Sequence, residues 1–142
     1  MLVLDANILI RAVLEARVLD LLREYAVRVE FMAPDVAFHD AREHLPGILE
    51  GRKIRVAPAM DTLELVARLV QTIEAETYAS LETIARERIK QRDEDDWPVL
   101  AAALALGCAI WTEDTDLFGC GVATWTADRV EYYLSKAAQE EL

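Results

Sequence analysis

Apolar and polar positions follow two rhythms along the chain: short apolar runs that predict strands, and longer stretches with helical periodicity. The strands are predicted at Met1–Asp5, Arg28–Ala33, Ile54–Ala57, Cys108–Thr112 and Val122–Trp125. The helices are predicted at Ile8–Tyr25, Val36–Leu49, Asp61–Glu76, Tyr78–Gln91, Trp97–Gly107 and Ala127–Glu141. Strands that alternate with helices favour a parallel sheet with helices on both faces. We therefore expect an α/β fold, a three-layer α/β/α sandwich around a four- to five-stranded parallel sheet.

Residues with known capping preferences stand near the ends of these predicted helices. Asn7 and Asp35 are expected to cap the first and second helices, and Thr126 the last one. Pro46 is expected to bend the second helix, because proline removes an internal hydrogen bond. Gly107 follows the Ala- and Leu-rich helix in the position of a C-terminal cap.

Length and composition are those of one folded domain. The chain has 142 residues, of which 54% are hydrophobic, and we expect a single domain over residues 1–142. Two cysteines, Cys108 and Cys120, make no disulfide framework. No signal peptide or membrane span is recognisable, so we expect a cytoplasmic protein without membrane association.

The charge balance is strongly acidic. Fifteen Lys and Arg against 26 Asp and Glu give a net charge of −11. Such a balance argues against a protein that binds duplex DNA, because phosphate binding depends on Lys and Arg. The meaning of the charge depends on where the acids concentrate.

Carboxylates concentrate in segments that the predicted fold brings to one edge of the sheet. In parallel α/β sheets the functional edge lies at the carboxyl ends of the strands. Carboxylates held together repel one another unless they share protons or bind a cation, and sets of oxygen ligands suit Mg²⁺ or Mn²⁺. Divalent ions in such pockets support phosphodiester hydrolysis. The segments contribute Asp5, then Asp40 and Glu43, then Asp93 to Asp96, and finally Asp114 and Asp116.

Three motifs occur in a characteristic order. They are LVLDANILI (Leu2–Ile10), DEDDWPVLAAALALG (Asp93–Gly107) and WTEDTDLFGCGVATWT (Trp111–Thr126). In this order and spacing the chain resembles the PIN-domain (PilT N-terminus-like) family of metal-dependent ribonucleases. Many prokaryotic members of that family are toxins of toxin–antitoxin pairs.

The resemblance implies roles for individual acids. Asp5, Asp96, Asp114 and Asp116 match the family's metal-binding and catalytic acids. The acid of the second helix is open, because either Asp40 or Glu43 can match it. Asp40 has the usual spacing from the strand-ending proline, although the family more often has Glu there, and Glu43 lies one turn further on.

The function implied by this resemblance is endonucleolytic cleavage of single-stranded RNA with Mg²⁺ or Mn²⁺. A homodimer is expected. A small antitoxin protein is a partner if the chain is a toxin, and the open alternative is a free-standing housekeeping or defence nuclease. One alternative is a PIN-like binding module without activity. Another is a phosphotransfer domain with Asp5 as nucleophile, although Asn7 stands where such enzymes need a second acid.

Two basic clusters leave their role open. One is formed by Arg86, Arg88, Lys90 and Arg92, directly before the acidic turn, and the other by Arg52, Lys53 and Arg55. Either cluster could hold an RNA backbone. The alternative for both is a solvated surface paired with neighbouring acids.

Overall fold

The computed structural model describes residues 1–140 and contains five strands, the first four separated by one or more helices. The strands are Leu2–Leu4 (β1), Phe31–Pro34 (β2), Val70–Ile73 (β3), Ala109–Trp111 (β4) and Thr124–Trp125 (β5). The helices are Ala6–Leu14 (α1), Ala16–Tyr25 (α2), Asp35–Gly51 (α3), Val56–Leu69 (α4), Ala75–Tyr78 (α5), Glu82–Ile89 (α6), Trp97–Leu106 (α7) and Val130–Glu140 (α8).

Within the described residues, five parallel strands form one sheet in the order β3-β2-β1-β4-β5. The chain moves outward from β1 through β2 to β3 and then returns to the other side of β1. Leu2 is therefore paired with Phe31 on one side and with Ala109 on the other. A reversal of this kind opens a crevice at the carboxyl ends of the two strands where it occurs, here β1 and β4.

The core has two apolar layers, one on each face of the sheet. Leu2 and Leu4 pack into the layer that includes α1, α2, α3, α4 and α8. Val3 faces the opposite layer, which is built largely from α6 and α7. Residues of β1 thus alternate between two apolar environments, and all three are fully buried. This arrangement confirms the expected three-layer α/β/α sandwich.

The predicted third strand is wrong. Ile54 lies in a loop and the chain from Val56 is helical, whereas β3 lies within the helix predicted at Asp61–Glu76. Only the two ends of β3, Val70 and Ile73, are buried. The spacing of these two buried residues continues the helical period of α4. Because the middle residues of this edge strand are both exposed, it lacks the alternation of buried and exposed residues that is typical of a strand, and the sequence pattern predicts a helix instead.

Two other predicted helices are interrupted. The helix predicted at Ile8–Tyr25 breaks at Glu15, which is extended (φ −126°, ψ 121°) and separates α1 from α2. The helix predicted at Tyr78–Gln91 begins with a single 3₁₀ turn at Ala79–Leu81 before α6. Neither break has a glycine or proline beside it from which it could have been predicted.

Helix ends agree only in part with the predicted caps. Gly107 adopts the left-handed conformation (φ 65°) after α7, as expected. Pro34, rather than Asp35, occupies the N-cap position of α3, and the helix continues through Pro46. The closing helix begins at Val130, and its predicted end at Glu141 lies outside the described residues.

No helix in residues 1–140 combines the length and the apolar character needed to cross a membrane.

Candidate active site

A cleft of about 340 Å³ opens at the carboxyl ends of β1 and β4. Its lining includes both acids and apolar side chains, among them Ile10 from α1 and Val36 and Ile48 from α3. The cleft therefore combines a concentration of negative charge with a surface that can contact uncharged groups. The acids that line it are Asp5, Asp40, Asp95, Asp96 and Asp114.

Asp5 follows β1 directly and is 7% exposed. Its Oδ1 accepts a hydrogen bond from the backbone N–H of Ile8 at 3.1 Å, so that Asp5, rather than Asn7, caps α1. Its Oδ2 accepts a hydrogen bond from the hydroxyl of Thr112. Burial raises the pKa of Asp5 to about 6, although these two hydrogen bonds oppose the shift, and the charge of Asp114 adds to it.

Thr112 links the acids that follow β1 and β4. It is fully buried, and its Oγ1 both donates to Asp5 and accepts a hydrogen bond from the backbone N–H of Asp114 at 2.9 Å. Sequence reasoning assigned Thr112 no role of its own. The signal was present in the T-x-D-x-D pattern of Thr112–Asp116, because a hydroxyl two residues before an acid can bond its backbone.

Asp96 stands at the N-cap position of α7. Its pKa is raised to about 8, first by burial and then by the neighbouring carboxyl group of Asp114. Weaker repulsion comes from Asp93 and Asp5. Within residues 1–140, Asp96 Oδ2 is buried and has no hydrogen-bond partner. A carboxylate in this position is costly unless something compensates its charge.

Local turns hold the remaining acids of this edge. Asp114 Oδ1 accepts a hydrogen bond from the backbone N–H of Asp116 at 2.9 Å, and Asp93 Oδ1 accepts one from the N–H of Asp95 at 3.0 Å. One carboxylate oxygen each of Asp93, Asp96 and Asp116 lies within 4.8 Å of the other two. Asp96 therefore belongs both to the cleft and to this adjoining group of acids.

These donors fit a hard divalent cation. The buried, unpartnered Oδ2 of Asp96 is a polar atom for which a cation would provide a partner. Carboxylate oxygens are also the ligands that Mg²⁺ and Mn²⁺ favour. The acidic cluster and the buried oxygen meet in Asp96, which places the chemical requirement for a cation at this residue.

A family model described as PIN domain matches residues 3–135, which is nearly the whole chain. The chain belongs to the PIN domain family. PIN domains are generally nucleases that use divalent metals and act on nucleic acids, and this one has the acidic cluster that such chemistry needs.

Among solved structures, this PIN domain is similar to PAE2754 from Pyrobaculum aerophilum, with a TM-score of 0.69. The sequences are 21% identical, and the match covers 97% of this chain and 89% of that one. At this identity the likeness is evidence about the fold. No curated protein matches the chain.

The two candidate acids of α3 have different surroundings in this PIN domain. Asp40 lines the cleft. Glu43 does not line it, and its side chain, 63% exposed, lies 3.5 Å from His39 Nε2. The geometry therefore favours Asp40 as the acid of this helix that faces the other carboxylates.

The basic stretch before the acidic turn is used within the PIN domain itself. Arg92 donates to the backbone carbonyls of Asp116 and Phe118, and Arg88 to that of Cys120. Gly121 has φ 94°, and a Cβ there would lie 2.7 Å from Arg88 Nη1. These contacts hold the segment after Asp114 in place, which is a structural role for this part of the basic cluster.

Arg86 and Lys90, the other two cations of this stretch, are paired with acids. Arg86 contacts Glu82 at 2.7 Å and Glu94 at 3.5 Å, and Lys90 contacts Glu87 at 2.7 Å. The four cations therefore have protein partners, as the solvated-surface alternative expects.

Proposed function

We propose that the protein is a Mg²⁺- or Mn²⁺-dependent endoribonuclease that cleaves single-stranded RNA. The observation that carries the proposal is the buried Oδ2 of Asp96, which has no hydrogen-bond partner among residues 1–140 and lies near Asp5 and Asp114 in a PIN domain. Three carboxylates from different parts of the chain repel one another, and a bound cation would offset this repulsion. A binding module without activity would gain nothing from keeping this repulsion.

In this proposal Asp5, Asp96 and Asp114 hold the cation, with Asp116 supporting it from the adjoining group. When bound, the cation would supply Lewis-acid activation of the phosphate and of the attacking water. Thr112 keeps the carboxylates of Asp5 and the backbone of Asp114 at a fixed separation. In this proposal the carboxylate of Asp40, from α3, accepts a proton from water that enters the cleft.

The shape and charge of the cleft support a single-stranded substrate. Its apolar lining residues Ile10, Val36 and Ile48 can contact riboses and bases that a duplex would keep stacked. The net charge of −11 disfavours extensive contact with a duplex backbone. A single strand that enters the cleft needs only its scissile phosphate next to the acids.

The test is cleavage of a mixed RNA pool with Mn²⁺ and with EDTA, followed by sequencing of 5′-phosphate ends. The parent protein should produce new ends only with the metal. Asp114→Asn should produce none, whereas Glu94→Gln, which removes a charge from the same edge outside the cleft, should behave like the parent. Cleavage that persists in EDTA, or in Asp114→Asn, would contradict the proposal.

The proposal extends to control by a small antitoxin that inserts a basic side chain among these carboxylates. The repulsion among the carboxyl groups of Asp96, Asp114, Asp93 and Asp5 favours such a partner. A short neighbouring reading frame whose product binds the protein and inhibits cleavage would support this extension. The homodimer stays a prediction, which sedimentation of the purified protein can test.

A further inference from the structure

One face of α3 forms a wall that leads away from the acids. Val36, Asp40, His44 and Ile48 are spaced four residues apart, and all of them line the cleft. Arg52, the C-cap of α3, is the next residue in the same spacing. The distance along the helix from Asp40 to Arg52 is about 18 Å at the usual helical rise. A strand that leaves the cleft along this wall reaches the end of α3 within a few nucleotides.

The loop at the end of this wall is a compact basic patch. Arg52, Lys53 and Arg55, which we call the basic loop, place three cations within four residues. All three are exposed, and within residues 1–140 none of them forms an ion pair. Arg86 and Lys90 of the other basic cluster, in contrast, are paired with acids. What distinguishes the basic loop from other exposed cations of this acidic chain is the concentration of three of them within four residues.

Lys53 of the basic loop has an unusual backbone conformation for a lysine. Ile54 N–H bonds to Leu49 C=O at 2.9 Å and Lys53 N–H to Glu50 C=O at 3.1 Å, which is the Schellman arrangement that ends a helix. Lys53 occupies its left-handed position, where glycine is usual. With φ 57° it is the one residue other than glycine in the described chain with a positive φ.

A favourable interaction with the helix C-terminus explains cations near this position in general. It does not explain a lysine in the one backbone conformation that glycine adopts at lower cost, since Arg52 already supplies a cation there. Strain that persists at a solvent-exposed charged residue points to a function for the side chain.

We propose that the basic loop binds the phosphates of single-stranded RNA whose scissile bond lies at the acids, with the strand running along α3. This inference rests on the proposed function, and it adds a second, electrostatic anchor to the same substrate. Separate anchoring lets an acidic protein hold RNA while its reactive centre repels phosphate. A protein partner with an acidic surface is the competing occupant, and the experiment distinguishes the two.

The experiment compares a loop variant (Arg52→Gln, Lys53→Gln and Arg55→Gln together) with a control of equal charge change. The control carries Arg23→Gln, Arg28→Gln and Arg68→Gln, three exposed cations that do not line the cleft. Equilibrium binding of a labelled, long single-stranded RNA is measured in EDTA over a range of salt concentrations. Cleavage of the same RNA and of a dinucleotide is then measured with Mn²⁺.

The loop variant should bind the long RNA about tenfold more weakly. The slope of log K against log salt concentration should fall in magnitude by about 2, the amount expected for three phosphate contacts to a single strand. Its KM for the long RNA should rise while kcat stays unchanged. Cleavage of the dinucleotide, which is too short to reach the basic loop, should match that of the parent. The control should resemble the parent in every assay.

Lys53→Gly alone separates this role from a structural one. It should raise the melting temperature, because glycine relieves the left-handed strain, and still weaken binding of the long RNA. Equal RNA binding and equal salt slopes for the loop variant, the control and the parent would overturn the inference and leave the loop to an acidic protein partner. A parent that binds RNA through the loop in EDTA but cleaves nothing with Mn²⁺ would instead reject the proposed function alone.

Discussion

The hydroxyl of Thr112 donates a hydrogen bond to the carboxylate of Asp5, although the two residues are 107 positions apart in the chain. The parallel pairing of β1 with β4 brings them together, since Leu4 pairs with Trp111, and Asp5 and Thr112 are the next residues of the two strands' chains. Because Thr112 also accepts the N–H of Asp114, one buried hydroxyl sets the separation of two proposed metal ligands. The site therefore depends directly on the strand order.

Thr112→Val keeps the shape of the side chain and removes the hydroxyl. It should lower the free energy of unfolding by about 1–3 kcal/mol, because the buried carboxylate of Asp5 loses a donor. RNA cleavage should fall with it, since Asp5 and Asp114 lose their common partner. Urea unfolding and Mn²⁺-dependent cleavage measure the two effects. Thr112→Ser retains the hydroxyl and should keep most of the activity; if it is as inactive as Thr112→Val, the hydrogen bonds are not the reason.

Asp96→Asn should abolish cleavage, with a loss of about a hundredfold or more, and should raise the melting temperature of the metal-free protein. The substitution keeps the shape of the side chain and removes one member of a repelling group. Thermal unfolding in EDTA checks the second effect. Glu94→Gln changes the same charge at an exposed ion pair with Arg86 and should alter stability by no more than about 0.5 kcal/mol. A lower melting temperature for Asp96→Asn would mean that the residue is an ordinary helix cap.

The stability of the metal-free protein should fall as the pH rises from about 5 to about 8. The pKa of Asp96 is about 8 and that of Asp5 about 6 in the folded state, against about 4 for an unfolded Asp. Between these values the folded state binds more protons than the unfolded state, so each increase in pH favours unfolding. The stabilisation is complete below the unfolded pKa and is lost as the pH passes the folded pKa of each group.

Melting temperatures in EDTA across this pH range test the expectation. Other acids contribute to the pH dependence, so the informative quantity is the difference between the parent and Asp96→Asn. This difference should be smallest near pH 5 and should grow towards pH 8, where the parent carries the extra charge. Parallel curves for the two proteins would show that Asp96 titrates normally.

Asp40→Asn should lower RNA cleavage strongly, by about tenfold or more, whereas Glu43→Gln should leave it within about twofold. The reason is position, because Asp40 lines the cleft and Glu43 is paired with His39 outside it. Steady-state cleavage of one RNA by both variants decides the matter. The reverse ranking would assign the acid of α3 to Glu43.

The parallel sheet and much of the acidic edge were predictable, because β1 and β4 are short apolar runs that are followed closely by acids. Asp5 and Asp114 therefore reach the cleft as expected. The third strand was not predictable in this way, since Val70 and Ile73 repeat the helical spacing of the preceding α4. An edge strand with two exposed central residues gives no pattern of its own.

Contacts between distant residues account for the rest. Sequence could not tell Asp40 from Glu43, which lie one turn apart, until the packing of α3 placed one of them in the cleft. It likewise gave Asn7 the cap of α1, whereas Asp5 performs this role and lines the cleft as well. The break at Glu15 has no glycine or proline beside it, so the local sequence gives no sign of it.

Isothermal titration calorimetry of the purified, metal-free protein with Mn²⁺ at pH 8 tests the central claim. That claim is that the acids around Asp96 hold a divalent cation. The parent and Glu94→Gln should show the same saturable binding, and Asp96→Asn should lose it. Binding should weaken as the pH is lowered, because protons compete for the same carboxylates. Absence of saturable Mn²⁺ binding by the parent, or unchanged binding by Asp96→Asn, would contradict the account.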